Sequence, residues 1–98
     1  IDRVLAQHHI QLAAALMVRP RPSDIPVVAA DIDRAVFHFE RSVTLDGQKL
    51  SPEQSSVVAD TRALVKAIEA TSALPQGAAA VVATFEKMVG SDAVAGTR

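Results

Sequence analysis

Ninety-eight residues, 49% of them apolar, are enough for one domain, at a size where roughly 60–65% of the unfolded surface is buried on folding. Ten Lys and Arg stand against eleven Asp and Glu, a formal net charge of −1, so there is no basic field to draw in a phosphate backbone and nucleic acid is not an expected partner. The three aromatics are all Phe and there is no Cys, which removes base-stacking platforms, a disulfide framework and thiolate metal sites.

Four segments with helical periodicity are separated by breakers, and no stretch alternates as a strand does. The first is predicted from Asp2 to Arg19, with Ile1, Leu5, His8, Leu12, Ala15 and Leu16 on one stripe, and it stops at Arg19-Pro20-Arg21-Pro22 because proline cannot continue a helix. The second opens at Ser23 or Asp24, with Pro26 in its tolerant first turn. Its core stripe is Val28, Ile32, Ala35, Val36, Phe39 and Val43, and Asp46-Gly47 ends it. Ser51-Pro52-Glu53-Gln54 carries a Ser cap, Pro at the first helical position and Gln at the reciprocal capping position, which predicts the start of a third helix. The stripe of that helix is Val57, Val58, Thr61, Leu64, Val65 and Ile68, and Leu74-Pro75-Gln76-Gly77 breaks the chain again. The fourth helix is predicted from Gln76 to Val89, closed by Gly90-Ser91.

These elements predict an all-α fold, a four-helix up-down-up-down antiparallel bundle over residues 1–90, with 91–98 as a flexible tail or linker. An even number of passes sets both termini at one end, so such a bundle can be inserted between two membrane helices. The chain starts at Ile1 rather than Met, as expected of an excised or processed fragment. No apolar run reaches the ~18 residues that span a bilayer, and no secretory leader is visible, so membrane contact is expected only through flanking segments.

The histidines are His8, His9 and His38. Adjacent residues on a helix diverge by about 100°, so His8 and His9 cannot both turn inward, and a third ligand for a metal is missing. Solvated or half-buried imidazoles are therefore expected, with no metal and no cofactor; a haem held by His38 with Met17 or Met88 is the competing reading. Asp31 and Asp33 face different ways on one helix, and no Ser stands on a Gly-rich elbow, so no enzyme is expected. A different feature is the absence of charge from Val4 to Val18 and from Gly77 to Phe85. Surplus apolar surface of this kind predicts a homodimer through Leu5, Leu12, Leu16 and Val82, the alternative being that small Ala residues pave an ordinary surface.

Arg3-Val4-Leu5-Ala6-Gln7 resembles the Arg-Met-Leu-Ser-Gln segment that opens the N-terminal sensor domain of the type IV pilus methyl-accepting chemotaxis transducer (PilJ-like) family, a domain also found in nitrate-sensing kinases. Phe39-Glu40-Arg41-Ser42, with Gly47 and Leu50-Ser51-Pro52, is similar to that family's second-helix ending and loop. The resemblance implies a periplasmic helical bundle that dimerises between two membrane helices. It also implies that Arg3 binds a small anion or carboxylate, with His8 standing where the family has a second arginine and binding an anion when protonated. His8 would then line the dimer seam while His9 points away. The expected function is a non-enzymatic ligand-sensing or interaction bundle, the extracytoplasmic sensor domain of a bacterial signalling receptor working in chemotaxis-like signal transduction. The alternative is a small cytoplasmic helical adaptor that binds a partner protein.

Overall fold

The computed structural model describes residues 1–96, with side chains through residue 91. The described residues form four α-helices and one 3₁₀ turn, without strand: α1 (Asp2–Leu16), the turn Pro22–Asp24, α2 (Ile25–Leu45), α3 (Pro52–Thr71) and α4 (Ala78–Gly96). The helices pack as a four-helix bundle in which each touches its neighbours in the chain and α1 also touches α4, the α1–α2 contact being the most extensive.

The two middle helices follow the sequence closely. In α2, Val28, Ile32, Ala35, Val36, Phe39 and Val43 are all buried. The helix closes with Gly47 at φ +73°, the Gly47 N–H donating to the Thr44 carbonyl at 2.9 Å and the Gln48 N–H to the Val43 carbonyl at 3.1 Å. That pair of bonds satisfies carbonyls the helix would otherwise leave free, and glycine is suited to the left-handed backbone they require. At the start of α3 the Gln54 N–H donates to Ser51 Oγ at 3.1 Å and the Ser51 N–H to Gln54 Oε1 at 2.8 Å, so both arms of the capping box are present. Val58, Thr61, Leu64, Val65 and Ile68 of its predicted stripe are buried, and Val57 is half-buried. Across the centre, Phe39 of α2 meets Phe85 of α4 edge to face, with ring centroids 5.8 Å apart at 75°, a favoured arrangement for aromatic quadrupoles.

The outer helices differ from expectation. Helix α1 ends at Leu16, not Arg19, because Pro20 disfavours helical backbone at the residue before it and the last turn has already tightened, the Val18 N–H donating to Ala15. Its rotation also differs. The buried face is Ala6, Ile10 and Ala13, not the stripe of larger side chains, of which His8, Leu12 and Ala15 are exposed. Two of these three inward residues are Ala, and the predicted stripe followed side-chain bulk and so identified another face.

Helix α4 runs on through Gly90 and Ser91 to Gly96. Of the predicted tail, residues 91–96 are therefore helical, and 97–98 lie outside the described residues. Gly90 does not close the helix because it lacks the left-handed backbone seen at Gly47 and Gly77. It sits instead against α1, where a Cβ would meet the Gln7 amide at 3.8–3.9 Å. Val82 is 1% exposed and packs in the core, so it offers no surface to a second copy and is removed from the expected dimer face.

Candidate functional site

Helices α1 and α2 carry the same pattern, an Asp followed seven residues later by a His: Asp2 and His9 on α1, Asp31 and His38 on α2. Seven residues are about 20° short of two full turns, so each Asp and its His lie on one face about 10.5 Å apart along the axis. The helices run antiparallel, and each Asp meets the other helix's His. The His38 Nδ1 is 2.9 Å from Asp2 Oδ1, and the His9 Nδ1 is 3.1 Å from Asp31 Oδ1. The two imidazoles between them are parallel within 6°, with centroids 5.8 Å apart.

An ionised carboxylate only accepts hydrogen bonds, so Nδ1 of each ring is the nitrogen that donates, and Nε2 is the one left for a further partner. The carboxylates are well covered: the Asp2 and Asp31 side chains retain 13% and 8% of their exposure. Arginines extend each dyad outward. Arg41 Nε lies 3.4 Å from Asp2 Oδ2, and Arg34 Nη1 lies 3.9 Å from Asp31 Oδ1. Phe37 and His8 flank the stack edge-on, with centroids 5.3 Å from His38 and 5.4 Å from His9.

The three histidines stand in different surroundings. His8, expected to face the core stripe and carry ligand binding, is exposed and touches only the edge of His9. His9 and His38 are half-buried and bonded to carboxylates. Asp31 and Ser42, on the same helix as His38, are buried. The signal that could have located this site is the repeated seven-residue Asp–His spacing, which shows its meaning once the helices are set antiparallel.

Arg3, the expected anion ligand, is committed within the chain: its Nη2 donates to Asp46 Oδ2 at 2.7 Å, joining the start of α1 to the end of α2. Its Nε is buried without a partner among the described residues. A shallow groove of about 170 Å³, lined by Ile1, Asp2, Arg3, Ser42, Leu45 and Asp46, opens beside it. Arg3 and His8 are not brought together, since five residues turn a helix by about 140° beyond one revolution. An anion at Arg3 would share the guanidinium with Asp46.

Chemically, the dyads offer two oriented imidazoles but no nucleophile. Ser42, one turn from His38, donates its hydroxyl to the Phe39 carbonyl at 2.7 Å, and no described hydroxyl is bonded to either ring. No group of three or more His, Cys, Asp or Glu among the described residues could hold a metal ion. At the α1–α2 turn a further ion pair has a separate role. The Asp24 carboxylate accepts from the Arg21 backbone N–H at 3.0 Å, from Nε at 3.2 Å and from Nη2 at 3.3 Å. These side-chain and backbone bonds from Arg21 hold the Asp24 carboxyl below the usual carboxylate range, and the Arg21 guanidinium is correspondingly raised. No helix among the described residues is long and apolar enough to cross a membrane. Comparison with family models, curated proteins and solved structures gives no match for this chain.

Proposed function

We propose that this chain is a non-enzymatic sensing and interaction bundle that works as a homodimer, the extracytoplasmic sensor domain of a bacterial signalling receptor. The observation that carries this reading is the outer face of α1. Ile1, Leu5, His8, Leu12 and Ala15 recur at spacings of four and three, the seam pattern of two helices in a coiled coil. The bundle leaves this seam largely outside: Ile1 is 96% exposed and Leu12 40%, with Val4 at 71% beside them. Leu5 and Leu16 are half-buried at its edge. A charge-free apolar face on a domain of this size favours a partner, and a second copy presents the matching surface.

The up-down-up-down antiparallel arrangement belongs to the same proposal. It is supported by the α1–α2 dyads, by contacts between consecutive helices and by the α1–α4 contact that closes the ring. It places the chain ends together, as an insertion between two membrane helices needs. In this reading membrane attachment comes only from segments flanking the chain.

Sedimentation tests the dimer. The wild-type chain should be dimeric at micromolar concentration, and Leu12→Glu should be monomeric with an unchanged helical spectrum. A wild-type monomer at high concentration rejects the dimer. Flanking coding sequence tests the receptor: an apolar span of about 20 residues on each side is expected. A soluble neighbouring domain would replace the receptor reading with a cytoplasmic adaptor.

A further inference from the structure

A groove of about 720 Å³ runs between the first half of α2 and the last turns of α3, and no residue of α1 or α4 lines it. Its floor is apolar: Ala29, Val65 and Ile68 are buried, and Ile25 is half-buried at one end. Two acidic residues line it, Asp33 from α2 and Glu69 from α3. Neither makes a hydrogen bond or ion pair among the described residues. Of the nearby arginines, Arg21 is paired with Asp24 and Arg34 lies 3.9 Å from Asp31. The chain as a whole carries a net charge of only −1, so the two acids are a local feature rather than part of a general acidic field.

We propose that this groove is a binding site for a small organic cation, an ammonium ion carrying a short apolar body. Each half of that ligand answers a separate observation. The apolar body covers the exposed apolar lining of the groove, Pro22, Pro26 and Ala30 with half-buried Ile25. The ammonium group answers the two lining carboxylates, which have no other partner among the described residues. A volume within the ~300–1,000 Å³ of small-molecule sites, between walls supplied by two helices, fits a small ligand better than a partner helix. The site stands apart from the proposed dimer face on α1 and does not depend on it.

Hexylammonium chloride is the probe, followed by amide and methyl NMR on the whole chain, with hexanol and ammonium chloride as the apolar and charged halves alone. Hexylammonium should shift Ala29, Val65 and Ile68 saturably, and the two halves should not. The double variant Asp33→Asn/Glu69→Gln should weaken binding by about tenfold, about threefold for each exposed carboxylate contact. Leu12→Glu should bind as the wild type does, which separates this site from the dimer. Raising ionic strength should weaken hexylammonium binding to the wild type more than to the double variant, a comparison that needs no assumption about the variant's stability. Equal binding of hexanol, an unaffected double variant, salt-independent binding or the absence of saturable shifts at the groove would each overturn the proposal.

Discussion

Replacing His9 by Ala removes the imidazole that bonds Asp31 and stacks on His38, and its cost can be worked from the geometry. The Asp31 side chain is 8% exposed and His9 18%, so solvent screens this pair far less than an ordinary surface pair. Hydrogen bonds to charged groups contribute about 1.5–3 kcal/mol net, and the remaining partner of Asp31, Arg34 at 3.9 Å, is too distant to replace the lost bond. His9→Ala should therefore destabilise the chain by about 2 kcal/mol, roughly 10 °C in Tm for a domain near 100 residues. Asp31→Ala should cost less, because it leaves a half-exposed imidazole rather than a covered charge. Urea unfolding followed by circular dichroism on His9→Ala, Asp31→Ala and the double variant closes a double-mutant cycle with a coupling of about 1–2 kcal/mol. A coupling under about 0.5 kcal/mol would show that the dyad does not hold α1 to α2.

Other substitutions test the packing and the turns. Phe85→Ala deletes a fully buried ring in contact with Phe39 and should cost about 3–5 kcal/mol; a loss under about 1 kcal/mol in denaturant unfolding would show that α4 is not packed as described. Gly90→Ala should stabilise by up to about 1 kcal/mol, since Gly90 lies inside α4 and its added methyl meets Gln7 at ordinary contact distance. A fall in Tm would mean that the α1–α4 approach is tighter than this. Asp24→Asn tests the turn through pH. Asp24 is held below the ordinary carboxyl range in the fold, so its contribution is fully present above the unfolded carboxyl pKa and is lost as pH falls through the lowered folded value. The Tm gap between wild type and Asp24→Asn should be widest near neutrality and close in acid, and a gap that widens in acid would reverse the sign of the argument.

What could be read in the sequence depended on how local its cause was. The Ser51–Gln54 capping box and the Gly47 stop are written in four consecutive residues and one residue respectively, and both stand in the structure. The stripe of α2 was legible because its inward side chains are also its bulky ones. On α1 the two properties part: Ala6, Ile10 and Ala13 face inward while Ile1, Val4 and Leu12 face out, so a reading by bulk turned the helix round and took His8 inward with it. The site was hidden for a different reason. Asp2 and His38 are 36 residues apart, and their meeting is set by how the Arg19–Asp24 connection registers one helix on the other. Arg3 had a visible charge but an invisible partner, Asp46, 43 positions away.

The two dyads also act as a register check. Slide α1 along α2 by seven residues, the shift that restores the same facing, and one direction sets Asp2 against Asp31 while the other sets His9 against His38. Either displacement opposes two like groups, and a slip of a single turn breaks both Asp–His pairs. Only the observed alignment pairs acid with base at both levels. A slide of α1 past α2 therefore breaks both dyads at once. In the proposed sensor, the dyads favour movement of α1 and α2 as one unit.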